Sequence, residues 1–162
     1  MSDLSLRAAT EADYKWLFAW SLEDHYVGRR FGHVPSCSQF AAHHAALVSR
    51  HWVIEDGQGR PVGQGLLYNM HLELGVAQVA VDLLPSRRGR DHAQEILGIL
   101  REDGFATLPL RKLYVHRLLS GPYDTSRNPW LADPFVFEGF LPRHEVVFGK
   151  FCDLAVWATF VD

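Results

Sequence analysis

The stretch that most constrains this chain runs from Val81 to Leu100 and reads VDLLPSRRGRDHAQEILGIL. Apolar residues continue to Pro85, three arginines and a glycine come next, and a helical pattern then begins. Ala93, Ile96, Leu97 and Leu100 fall at i, i+3, i+4 and i+7, one face of a helix. A strand that ends in a short Arg/Gly turn, with a helix opening from that turn, makes an anion site. The N–H groups of the first helical turn lack intrahelical partners, and the positive end of the helix dipole points into the turn. Arg87, Arg88 and Arg90 either add charge to that site or form a solvated surface run.

A formal net charge of −3 argues against broad nucleic-acid contact, so any anion must bind locally. With 162 residues, 48% apolar and 22% charged, the chain is expected to form one domain over residues 1–162 around one large core. Cys37 and Cys152 stand far apart with no metal-ligand spacing, which suggests reduced thiols and neither a disulfide nor a metal site. The start, MSDLSLRAAT, lacks the apolar segment of a signal peptide, and no apolar run reaches membrane length. A soluble cytoplasmic protein without a membrane partner is the expectation.

Leu4 to Ala8 alternates as a short strand, and Thr10 followed by Glu11 and Asp13 looks like a helix cap. Tyr14, Leu17 and Phe18 supply the buried stripe of the next helix, while Gly28 to Gly32 reads as a mobile loop. Ser36 or Ser38 caps a second helix bearing Phe40, His44, Leu47 and Val48. His43 and His44 point about 100° apart on it, which disfavours a shared metal ion. His51–Glu55, Pro61–Asn69 and Val76–Leu84 form an antiparallel meander with turns at Asp56–Arg60 and Met70–Gly75. After the central helix, with Gly104 as its C-cap, Arg111–Leu118 is a strand expected to lie parallel to the one before the helix. Leu119 to Pro134 is interrupted by prolines, and Leu141–Phe148 with Phe151–Val161 closes the chain as a hairpin. The order β α α β β β α β (α) β β specifies an α/β fold with one mixed sheet.

That order, with the strand–Arg/Gly loop–helix unit at its centre, resembles the GCN5-related N-acetyltransferases. Their loop follows Arg/Gln-x-x-Gly-x-Gly/Ala, and here Arg88 and Ala93 stand at its ends with Arg88-Gly89-Arg90 inside. Asn128 precedes Gly139-Phe140 by the family's spacing. The ending is similar to the ribosomal-protein N-acetyltransferase branch, through Glu138-Gly139, His144 and Gly149 to Asp153. The resemblance implies acetyl-CoA or another acyl-CoA as cosubstrate, and a small-molecule or peptide amine as acceptor. The implied cofactor set is Leu83, Leu84, Arg87, Arg88, Gly89, Arg90, Asp91, His92, Ala93 and Asn128.

Two departures bear on chemistry. Asp91 replaces the middle glycine, and a carboxylate roughly 5 Å from a phosphate charge costs about 3 kcal/mol at an effective dielectric of 20. Asp91-His92-Ala93-Gln94 also reads as a capping box, in which Asp91 takes up the N–H groups meant for pyrophosphate. Phe135 stands where many relatives have a tyrosine acid, so Tyr123 is the substitute candidate, although a thiolate can also leave unaided. Backbone N–H groups at Leu83 and Leu84 would polarise the thioester carbonyl. Asp82 and Glu73, with His71 behind them, are the candidate bases. The rival reading is a catalytically silent domain of the same fold, and the closing hairpin offers edges that can pair in a homodimer.

Overall fold

The computed structural model describes residues 3–24, 36–119 and 131–161. Its elements are β1 (Ser5–Ala8), a 3-10 turn (Glu11–Asp13), α1 (Tyr14–Glu23), α2 (Cys37–Leu47), β2 (Val48–Glu55), β3 (Pro61–His71) and β4 (Val76–Leu83). A 3-10 turn at Pro85–Arg87 then leads into α3 (Arg90–Thr107), β5 (Lys112–Leu118), β6 (Val136–Val147) and β7 (Lys150–Phe160). The seven strands form one sheet in the order β1-β2-β3-β4-β5-β7-β6. Among the described strands only the β4–β5 pair is parallel, so the mixed α/β sheet and the parallel crossover through α3 both agree with the sequence pattern.

Strand alternation sends side chains to two separate cores. On one face Ile96, Leu97 and Leu100 of α3 pack fully buried against Leu67, Ala77, Val79 and Leu113. Burial of this kind is worth about 2 kcal/mol for each large side chain. Gly65 makes room for α3, since a Cβ there would stand 3.0 Å from Leu100 Cδ1. On the other face Leu17 and Trp20 of α1 and Phe40 of α2 cover Leu66 and Ala80. Trp16 stacks on Trp20 at 5.6 Å. Ser36 caps α2 by accepting from the Gln39 N–H, and both cysteines are free.

Several boundaries differ from the sequence reading. Gly104 does not end α3; the helix continues to Thr107, and Gly104 sits inside it as a close-approach residue, its Cβ position 3.3 Å from Leu113 Cδ1. Strand β6 begins at Val136, five residues before the expected Leu141. Its register shifts between Phe137 and Gly139, where Gly139 has φ 155°, and such an irregularity hides the strand from a period-2 pattern. Thr10 caps a 3-10 turn and not α1 directly: its N–H and hydroxyl both donate to Asp13, which Arg7 holds by two further bonds of 2.8 Å. The Gly28–Gly32 loop and the stretch 120–130 lie outside the described residues.

One glycine governs how closely β3 approaches the end of β4. A Cβ on Gly63 would overlap the Asp82 carbonyl oxygen and stand 2.8 Å from Leu83 Cδ2. Backbone cannot yield as a flexible side chain can, so Gly63→Ala is expected to cost about 2 kcal/mol. Urea denaturation that finds it as stable as the parent would refute this tight β3–β4 approach.

Candidate active site

Strand β4 pairs with β3 from Val76 to Leu83 but with β5 only at Val76, Ala77 and Gln78. Beyond Gln78 and Tyr114 the two parallel strands part, and a gap opens at their C-terminal ends, the usual ligand position in a sheet with parallel strands. Register decides what faces the gap. The Leu84 N–H donates to Val62 O, so Leu84 opposite Val62 is a hydrogen-bonded position, as is Asp82 opposite Gln64. Val81 and Leu83 fall between and turn their main-chain groups away from β3, towards the gap. Leu83 is therefore suited to polarise a carbonyl, whereas Leu84 is not: its N–H is taken by Val62.

The helix behind the gap opens two residues earlier than expected. Gly89 is the N-cap of α3, Arg90 begins the helix, and no side chain caps it. Asp91 is thus the second helical residue, solvent-exposed, and the expected capping box does not form. Gln94 reaches elsewhere, accepting from Ala132 N at 3.1 Å and donating to the Ala132 and Asp133 carbonyls. His92 turns back to Arg87 O at 3.0 Å, and Ala93 is buried. The first-turn amides therefore remain available to an anion, and nothing lies within 4 Å of a Cβ position on Gly89.

Arg87 and Arg88 are not a solvated run, because both are engaged within the fold. Arg88 bonds the buried Asp24 at the end of α1 and donates through Nε to Leu83 O at 3.0 Å. Arg87 spans Asp3 and Asp56 at 3.4 and 3.5 Å. The side chain of Arg90 lies outside what the structure describes, as do Tyr123 and Asn128. Phe135 is buried against the α3 core.

Among the candidate bases the structure separates two ends of β4. His71 ends β3 and Glu73 lies in the turn before β4, both exposed and at the opposite end of β4 from the loop. Asp82 stands at the gap, 2% exposed, on the face covered by α1 and α2. Its Oδ2 accepts from Gln64 Nε2 at 2.9 Å, and Gln64 Oε1 lies 3.1 Å from His51 Nε2. Burial lowers the His51 pKa to about 4, against the weaker opposing effects of Gln64, Asp13 and Asp82. Sequence reasoning missed Gln64, His51 and Asp24. A glutamine inside the apolar strand PVGQGLLY was the available signal for the first; the others depend on contacts between distant segments. Among the described residues no three His, Cys, Asp or Glu side chains cluster as metal ligands, and no helix is long and apolar enough to cross a membrane.

A gap between parallel strands, a main-chain donor at its edge and uncapped helical amides beside it form a candidate site for an anionic ligand. Comparison agrees: residues 3–118 match the acetyltransferase (GNAT) domain model, and the chain belongs to that family of N-acetyltransferases. The spermidine N-acetyltransferase of Vibrio cholerae in complex with CoA and spermine superposes with a TM-score of 0.79 at 20% identity, covering 98% of this chain and 95% of that one. A dodecameric structure of the same enzyme in an intermediate state gives 0.77 at 19%, with coverage of 98% and 94%. Comparison with curated protein sequences finds no match.

Removing Arg88 strips the buried Asp24 of a charged partner, so Arg88→Ala should cost about 2 kcal/mol, whereas Arg87→Ala loses only long pairs and leaves Asp56 its 2.7 Å bond to Arg60, and should cost under about 0.5 kcal/mol. Equal losses by chemical denaturation would contradict this division. Because the folded protein disfavours protonated His51, stability should be full above about pH 6.5, the usual histidine value, and decline as pH falls towards 4. In His51→Phe that window should flatten, as followed by melting temperature against pH.

Proposed function

We propose that this chain transfers an acetyl group from acetyl-CoA to a primary amine of a small molecule or peptide, by direct attack within the β4–β5 gap. The observation that carries the reading is the parting of β4 from β5 after Gln78, with the Leu83 main chain turned into the opening. The pyrophosphate would lie on the first turn of α3, at Gly89, Arg90, Asp91, His92 and Ala93, with Asn128 along the pantetheine arm. Oxygen charge developing at the thioester carbonyl would be met by the Leu83 N–H. Asp82 would accept the ammonium proton, directly or through water, since a base must expose the amine lone pair before attack. Tyr123 is the proposed proton donor to the departing thiolate.

Among amines, small ones are favoured. The Vibrio cholerae neighbour of the same fold is a spermidine N-acetyltransferase that holds spermine, which makes spermidine and spermine the first acceptors to try. The chain acts as one domain over residues 1–162, in the cytoplasm, and the closing hairpin supports kinship with the ribosomal-protein branch. Self-association is part of the reading. Phe140, Val146, Phe148 and Phe151 are each 58–60% exposed on β6, the sheet edge, on the turn after it and at the start of β7, apolar surface that a second copy would cover.

Calorimetric titration with acetyl-CoA, followed by an acetylation assay over an amine panel, tests the proposal. Undetectable binding at millimolar acetyl-CoA would sink it; tight binding without transfer to any amine would favour the silent domain. Asp82→Asn should lower kcat at least about 100-fold while leaving acetyl-CoA affinity unchanged. Asp91→Asn should tighten acetyl-CoA binding about 5-fold or more, by removing a carboxylate from the phosphate turn. Unchanged affinity would show that this carboxylate does not face the phosphates.

A further inference from the structure

The chain of polar groups behind Asp82 is unlike its surroundings. Gln64 is fully buried in a strand otherwise lined by Val62, Leu66 and Leu67, and its amide bridges two side chains from neighbouring strands. An amide has two ends of nearly equal shape, and only one orientation suits a carboxylate. With Nε2 towards Asp82 the contact is a hydrogen bond; reversed, two acceptors would oppose each other at 2.9 Å.

We infer that Gln64 and His51 are positioning residues for Asp82: His51 donates to Gln64 Oε1, and the amide so oriented donates to the carboxylate and holds it at the end of β4. The inference rests on the reading of Asp82 as the base. His51 can play its part only with a proton on Nε2. Its other nitrogen, Nδ1, is buried and has no hydrogen-bond partner among the described residues, which suits an unprotonated nitrogen better than a stranded N–H. The ring is fixed from both helices, stacked on His44 of α2 at 4.8 Å and tilted against Tyr14 of α1 at 6.1 Å. Asp13 and Asp82 are the charged groups acting on it, and burial outweighs both, so the ring stays neutral at working pH. A neutral donor can orient the amide without adding a cation beside the base.

The first test uses the unaltered protein. Nitrogen NMR of labelled histidine should find the His51 ring neutral with hydrogen on Nε2 from pH 8 to 5; a proton on Nδ1 would overturn the inference. The second test is kinetic, with acetyl-CoA and spermidine, or whichever panel amine is acetylated. Gln64→Leu and His51→Leu should each lower kcat about 10-fold and move the acid limb of the pH–rate profile upward, with KM for acetyl-CoA unchanged. His51→Gln, which restores an N–H donor, should recover most of the rate. If Asp82→Asn abolishes turnover while both leucine variants keep the parent profile, the positioning roles fall and the base survives. If Asp82→Asn is fully active, the base reading itself falls.

Discussion

Strand β4 is bound on one side along its length and on the other only over its first three residues. The rest of the site depends on that asymmetry. Had β5 followed β4 to Leu83, the main-chain groups of Val81 and Leu83 would be occupied within the sheet, as Leu84's N–H is by Val62. Instead β5 stays with β7 on its other edge from Lys112 through Leu118, while its edge towards β4 is paired only to Tyr114 and leaves β4 unzipped beyond Gln78. A buried strand edge is costly unless something satisfies it, so the gap is at once destabilising and open to a ligand's hydrogen-bonding groups. Arg88 offsets part of that cost by donating to Leu83 O.

Charge around the loop is arranged more tightly than an arginine count suggests. Arg88 is anchored by a buried carboxylate, Arg87 by two acids from the chain's start and from the β2–β3 hairpin, while Asp91 places a negative charge on the open helical turn. An acid at the second helical position favours the helix dipole by about 0.3–1 kcal/mol. It thereby stabilises α3 where an anion would otherwise do so. The oriented N–H groups of the first turn, by contrast, keep their aim whatever the side chains do.

Legibility in the sequence followed the range of the interaction. The strand, turn and helix of Val81–Leu100 rest on local patterns, and the structure reproduces them to within two residues at the helix start. The parallel β4–β5 pair was legible too, because a helix of this length leaves few other connections. What stayed hidden was set by register and by distant partners. No pattern in VAQVAVDLL tells that pairing with β5 stops at Gln78. Asp82 stood out as an acid inside an apolar strand and Glu73 as a turn residue, but the side chains that contact Asp82 come from distant segments. The capping box at Asp91 failed because Gly89 opens the helix with bare amides, a choice local propensity does not predict.

One step along β4 changes the direction in which a residue can act, and that divides the chemistry. Leu83 sends its side chain into the α3 core and its main chain into the gap, while Asp82 sends its main chain to β3 and its side chain to the α1–α2 face. A donor lying in the gap and an acceptor approaching from the α1–α2 side would meet at this dipeptide from different directions. Neither would need to displace the other. Such an arrangement requires both partners at once, which suits direct transfer better than an intermediate held on the protein. Gly63 lies opposite this dipeptide, where only a residue without a side chain lets β3 close on β4.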